Sequence, residues 1–211
     1  MTDYNAYISG FSKPKEPLIL EMELYAAEHR VPIMDDTGLH TLIGLLQIQQ
    51  PQRILEIGSA IGYSGIRLAL AFPQAIIYTI ERDTDRYEQA VQYIERSGLN
   101  DRIHIIHADA LEFDETTLLE QSFDALFIDA AKGQYLKFFE KYSPLVRQTG
   151  VIYCDNMFMH GMVLLSDNEL PKRNRTMIRN LKKFTSWAME HEQYETSLVP
   201  IGDGILIAVK K

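Results

Sequence analysis

Apolar residues recur at helical intervals through the first fifty positions and in short runs after them. Over residues 14–30, Leu20, Leu24 and Ala27 share one helical face, Pro14 stands near the start and Val31-Pro32 ends the pattern. A second helix is predicted from about Asp35, with Leu39, Leu42, Ile43 and Leu46 on one side and Pro51 closing it. From Arg53 the pattern changes to short apolar runs separated by helical stretches. Strands are predicted at 54–57, 75–80, 103–107, 125–128 and 151–154. Helices are predicted at 63–72, 84–97 (with Gly98 as C-cap), 115–121 and 133–147. A longer helix follows at 172–190. Runs at 196–201 and 205–209 flank Gly202-Asp203-Gly204 and predict a hairpin.

Strands that alternate with helices predict βαβ units and right-handed crossovers. The fold class expected is α/β: a Rossmann-like, seven-stranded, mostly parallel sheet with helices on both faces. The terminal hairpin adds one antiparallel strand. The whole chain, 1–211, reads as one domain, with 1–50 as a helical N-terminal cap that could also serve for dimerisation, and 51–211 as the core.

Composition agrees with a packed domain, at 46% apolar and 24% charged residues. The net charge of −8 argues against a surface positive all over, though not against a local basic patch. A single cysteine, Cys154, permits no intrachain disulfide and fits a reducing compartment. The N-terminus has no basic and apolar leader, and no run approaches the roughly 18 apolar residues of a membrane span. A cytoplasmic protein without a membrane partner is expected.

The chemistry collects at strand ends. Gly58-Ser59-Ala60-Ile61-Gly62-Tyr63-Ser64 joins the first strand to its helix, where glycine admits close backbone approach and a helix N-terminus attracts anions. The dehydrogenase fingerprint is broken by Ala60 and Tyr63, which disfavours a nicotinamide enzyme. Glu81 ends the second strand, where a carboxylate can accept the hydroxyls of a ribose. Asp109 ends the third, as an acceptor for an adenine amino group or as a helix N-cap. Phe127-Ile128-Asp129-Ala130-Ala131-Lys132 ends the fourth and Asp155-Asn156 the fifth. Three hard oxygen ligands on adjacent strand ends suit Mg²⁺, Mn²⁺ or Ca²⁺ and leave positions open for substrate. Lys132, near such an ion, can act as a base. His107 reads as a strand histidine with a local partner, Cys154 as a small buried hydrophobe, and His160 as a residue able to touch substrate.

These motifs together resemble the class I S-adenosylmethionine-dependent methyltransferases, and within them the cation-dependent O-methyltransferases of the catechol and caffeoyl-CoA type. The resemblance covers about residues 30–211. It rests on Leu55-Glu56-Ile57-Gly58, Gly62-Tyr63-Ser64, Ile80-Glu81, Phe127 to Lys132, Asp155-Asn156 and Pro200-Ile201-Gly202-Asp203-Gly204. It implies that Glu81 holds the ribose, Asp109 and Ala110 the adenine, and Gly58 and Ser64 the methionine end, with Glu56 also binding the cofactor. It further implies that Met34 and Asp129 lie beside the cofactor, that Asp129, Asp155 and Asn156 hold Mg²⁺ or another divalent cation, and that Lys132 is the general base. A homodimer is implied as well.

The substrate expectation comes from residues 172–183. Lys172, Arg173, Arg175, Arg179, Lys182 and Lys183 occur there with no acid, so the rest of the chain balances at −14. Met177, Leu181, Phe184 and Ala188 share the other face of this helix. A one-sign face in an acidic protein suggests phosphates. With Val31-Pro32-Ile33-Met34 and residues 127–135, the pattern is most similar to the bacterial branch that methylates 5-hydroxyuridine at the tRNA wobble position. A tRNA anticodon loop is therefore the expected partner, and a catechol-like small molecule is the alternative. A non-catalytic module that binds S-adenosylmethionine or RNA is the third reading.

Overall fold

The computed structural model describes residues 14–211, together with Tyr7 and Phe11. Two helices lead: α1 (Pro17–His29) and α2 (Asp36–Gln49). Strands and helices then alternate as β1 (Arg53–Ile57), α3 (Tyr63–Ala71), β2 (Ile76–Glu81), α4 (Thr84–Ser97), β3 (Ile103–His107) and β4 (Phe123–Ile128). The chain continues through α5 (Tyr135–Tyr142), β5 (Val146–Cys154), α6 (Arg175–Glu190), β6 (Tyr194–Val199) and β7 (Ile205–Lys210). Short 3₁₀ turns cover Glu115–Gln121, Lys132–Gln134, Ser143–Leu145, Met162–Leu164 and Lys172–Asn174.

The sheet has seven strands in the order β3-β2-β1-β4-β5-β7-β6. Pairing is parallel from β3 to β5, while β7 runs antiparallel to both its neighbours. The expected fold class and its one reversed strand are both present. The chain direction reverses across β1: successive crossovers lead outward through β2 and β3, and the next returns to β4 on the other side. That reversal opens a crevice at the carboxyl ends of β1 and β4.

Two apolar layers sandwich the sheet. One holds Ile54, Ile66, Ile77 and Phe127 with residues of α1 to α4. The other holds Leu55, Ile57, Leu126 and Ile128 with α5 and α6. Leu39, Leu42 and Leu46 of α2 and Ile19, Met22 and Ala26 of α1 belong to the first layer, so the leading helices pack onto the sheet's own core.

Several boundaries differ from the sequence expectations. α1 starts at Pro17, whose missing N–H is harmless at the first helical position, and not near Pro14. Leu20 and Leu24 point outward, 48% and 65% exposed, because a neighbouring stripe of Ile19, Met22 and Ala26 is the buried one. Residues 133–147 are not one helix. Pro144 confines α5 to Tyr135–Tyr142, and β5 already begins at Val146. The β4–β5 register shifts between Phe123–Val146 and Ala125–Val151, a bulge containing Gly150. In α6 the buried face is Ile178, Leu181, Phe184 and Ala188, with Met177 only partly covered. No helix among the described residues is long and apolar enough to cross a membrane.

Candidate active site

A cavity of about 750 Å³ lies in the crevice at the carboxyl edge. β1 delivers Gly58 to its floor, with φ 97°. A Cβ there would lie 2.2 Å from the backbone oxygen of Asp129, so glycine is required by the approach of the two strand ends. The turn after Gly58 is held by Glu81. Its Oε2 accepts the Ala60 N–H at 2.8 Å, and its Oε1 accepts those of Arg82 and Asp83 at 2.9 Å. A carboxylate has about four acceptor sites, so Glu81, with three N–H groups bound, keeps capacity for one more donor such as a ribose hydroxyl. Asp109 Oδ1 accepts the Leu111 N–H at 2.9 Å, and its Oδ2 lies 3.3 Å from Arg82 Nη1. Ala110 is positioned by Tyr142, whose hydroxyl donates to its carbonyl at 2.6 Å.

Met34, Gly58, Ser64, Glu81, Asp109, Ala110, Asp129, Lys132 and Asn156 all line this cavity. Glu56 and Asp155 do not: Asp155 is buried just behind Asn156, and Glu56 lies elsewhere. It is fully buried one layer behind, where it accepts hydrogen bonds from Ser64 Oγ and from Thr79 Oγ1, the latter at 2.5 Å. Burial, against those two hydrogen bonds, pushes its pKa up to about 7, and the charges of Asp129 and Glu81 add to the rise. In this geometry it holds Ser64 in place.

The strand-end acids beyond β1 form the second half of the site. Lys132 Nζ donates to Asp129 Oδ1 at 2.5 Å and sits 5.8 Å over the Tyr135 ring. Asp155 is 1% exposed, and neither of its carboxylate oxygens has a hydrogen-bond donor. Burial and the nearby Asp129 charge push its pKa up. Asn156 adopts a left-handed backbone, φ 56°. Its neighbour Asp155 is anchored by Tyr135, whose hydroxyl donates to the Asp155 carbonyl at 2.9 Å. A buried carboxylate with both oxygens unmet, facing a second carboxylate, calls for positive charge. Two carboxylates and an amide oxygen are the hard donors that Mg²⁺ prefers, so this set fits a divalent cation. Among the described residues, no group of three or more His, Cys, Asp or Glu is arranged to hold a metal, which leaves this mixed set as the candidate.

Sequence reasoning gave no ligand role to several other lining residues. Ser59, Tyr63, Asp35 and Met159 also line the cavity. Asp35 N-caps α2, accepting the Gly38 N–H at 2.9 Å, and its place beside the cavity comes from tertiary packing alone. His107 meets Thr84 at 3.3 Å and stacks on Tyr87, the local partnership expected of it. Cys154 is buried.

The six basic residues of 172–183 do not form one free face. Arg175 donates to the Leu170 carbonyl at 3.2 Å, Arg179 pairs with Asp167 at 2.8 Å, and Lys182 donates to the Leu165 carbonyl at 2.8 Å. These three tie down the loop between β5 and α6. Lys172, Arg173 and Lys183 are exposed.

A parallel sheet with a reversed final strand, a glycine turn after β1 and acids ending the next three strands define a class I methyltransferase fold. The chain belongs to the O-methyltransferase family, whose model matches residues 12–211. It is thus an S-adenosylmethionine-dependent O-methyltransferase of the caffeoyl-CoA type. It is 30% identical over 168 residues to the caffeoyl-CoA O-methyltransferase of Populus kitakamiensis, covering 77% of this chain and 72% of the relative. It is 29% identical over 222 residues to the flavonoid 3',5'-methyltransferase of Vitis vinifera, covering 98% and 92%. Among solved structures, the Bacillus cereus O-methyltransferase in complex with SAH superposes with a TM-score of 0.83 at 29% identity, covering 100% of this chain and 98% of that one.

Proposed function

We propose that the protein methylates one hydroxyl of a small aromatic diol, with a divalent cation held by Asp129, Asp155 and Asn156. The observation that carries this reading is the buried Asp155 carboxylate, unmet on both oxygens, behind Asp129 and Asn156, which line a cavity large enough for cofactor and acceptor. When bound, such an ion acidifies a coordinated hydroxyl and favours an acceptor with two vicinal oxygens. Lys132 Nζ, in its neutral amine form, takes the acceptor's proton and becomes the ammonium that pairs with Asp129. Glu81 accepts a ribose hydroxyl, Asp109 and Ala110 meet the adenine, and Gly58 and Ser64 face the methionine end. Met34, 4% exposed, walls the transfer site against water.

The relatives named above act, by their names, on caffeoyl-CoA and on flavonoids, which supports a phenolic acceptor. The basic segment supports it too, because half of its charges are engaged by the chain's own loop. A second reading keeps the tRNA anticodon loop as acceptor and rests on the three exposed residues Lys172, Arg173 and Lys183. One assay separates the two. Purified protein with S-adenosylmethionine and Mg²⁺ is offered a 3,4-dihydroxyphenyl compound and, separately, tRNA bearing 5-hydroxyuridine. The phenol reading expects methyl transfer to the diol; transfer to tRNA alone overturns it. Pairing of two copies is also part of the proposal, through the outward leucines of α1 and Ile48, and sedimentation equilibrium tests it.

A further inference from the structure

A second cavity, about 710 Å³, adjoins the first. Asp35, His160 and Asp203 line both, so they form the throat between them. Beyond the throat the walls are Phe158, Leu164 and the glycines 161 and 202. No lysine or arginine lines this space. We propose that it receives the part of the acceptor beyond its two oxygens, and that it selects tails that are neutral or positively charged. The proposal rests on the small-diol reading above.

The walls are built, not incidental. The Phe158 N–H donates to the Asp203 carbonyl at 2.8 Å, and the Met157 N–H donates to the Gly204 carbonyl at 3.0 Å. Phe158 then packs so closely on Gly204 that a Cβ there would meet its ring at 2.5 Å. The hairpin turn 200–204 and the loop after β5 thus fix one aromatic wall. Leu164, 87% exposed, stands on the opposite rim, in the loop that Arg175, Arg179 and Lys182 hold to α6.

Charge decides what fits. Asp203 Oδ1 accepts the His160 N–H at 2.6 Å, while its Oδ2 has no hydrogen-bond donor. The His160 ring stands beside it, with Nδ1 3.7 Å from Oδ2. Asp35 uses Oδ1 on the Gly38 N–H. A tail carboxylate or phosphate entering here meets two carboxylates at the throat. An ammonium is drawn by the same two charges. Met159, His160 and Gly161 all take left-handed backbone, φ 46°, 52° and 82°, which turns the His160 ring out at the junction, where it is 82% exposed.

The test uses three acceptors that share the catechol ring: dopamine, 4-methylcatechol and 3,4-dihydroxyphenylacetate. With S-adenosylmethionine and Mg²⁺ present, kcat/KM for the amine and the neutral compound should exceed that for the carboxylate by at least about fivefold, the factor expected of one close charge pair. Asp203→Asn and Asp35→Asn keep the oxygen that each N–H needs and remove the charge. In either variant the gap between amine and carboxylate should fall below about half its original size. Equal or better use of the carboxylate, or a gap unchanged in both variants, overturns the inference. Dissociation constants of the three compounds, measured calorimetrically with SAH and Mg²⁺ present, keep the two proposals separable. If none of the three is methylated, the diol reading falls. The slot then stands if the amine still binds tighter than the carboxylate and Asp203→Asn narrows that difference, and falls if it does not.

Discussion

Asp155 and Glu56 are two buried carboxylates with opposite surroundings, and they predict opposite responses. Asp155 has no donor, so a bound divalent cation should stabilise the fold. At 100 times its dissociation constant the ion contributes about 2.7 kcal/mol, or a melting shift of about 5–10 °C for a chain this size. Differential scanning fluorimetry with and without Mg²⁺ should show that shift in the native protein and lose most of it in Asp155→Asn. An equal shift in both would remove Asp155 from the ligand set. Glu56 is satisfied by Ser64 and Thr79, and its folded pKa of about 7 lies above the ordinary carboxylate value. The folded state therefore holds the extra proton, and stability must fall as pH rises from about 4.5 to 7. Glu56→Gln, which cannot titrate, should flatten the melting-temperature slope over that window, with Asp129 and Glu81 still present as neighbours. It should also weaken cofactor affinity more than turnover, because it acts through Ser64. That Asp129, Asp155 and Asn156 stand at one edge could be read from sequence because strand ends in parallel sheets share that edge. Glu56 lies behind the cavity wall although its motif runs into the glycine turn. Strand alternation explains this: Leu55 and Ile57 face the α5–α6 layer, so Glu56 between them faces α3.

At the level of elements, periodicity found the helices and lost their phase. α1 carries two apolar stripes, and no local rule tells which one the sheet will cover. α6 shows the same limit for charge. Its basic residues looked like one surface, but the loop from residue 157 to 171 folds back onto it, and that contact is invisible in a helical projection. The tethers predict a division of effects. Arg175→Ala with Lys182→Ala removes two hydrogen bonds worth roughly 0.5–1.5 kcal/mol each. The loop they hold carries Leu164 and follows Phe158, so KM for the acceptor should rise up to about tenfold while cofactor affinity stays within twofold. Limited proteolysis should cut near residues 162–170 sooner than in the native protein. A matching rise in cofactor dissociation constant would show instead that the loop belongs to both subsites.

The whole molecule is closed around the cofactor crevice by a polar cluster that no single motif announces. Tyr63, at the start of α3 and in the cavity wall, donates its hydroxyl to Glu23 of α1 at 2.5 Å and accepts from Arg67 at 2.8 Å. Lys15 reaches both Glu23 at 2.7 Å and Asp36 of α2 at 2.9 Å. Three helices distant in sequence thus meet directly behind the glycine turn. Asp36 follows Asp35, which lines both cavities, so the leading helices and the acceptor throat are set by one network. Sequence could place α1 and α2 ahead of the sheet but not join them to it, because the joining residues are 40 positions apart and obey no period. Tyr63→Phe keeps the ring and removes the hydroxyl, leaving Glu23 with Lys15 alone. The expected loss is about 1–2 kcal/mol, a fall of about 2–8 °C in melting temperature. Because the network fixes the first turn of α3, S-adenosylmethionine should bind more weakly, and saturating cofactor should recover part of the lost stability by linkage. A variant that melts lower but binds cofactor with native affinity would mean that the leading helices brace the fold without shaping the crevice.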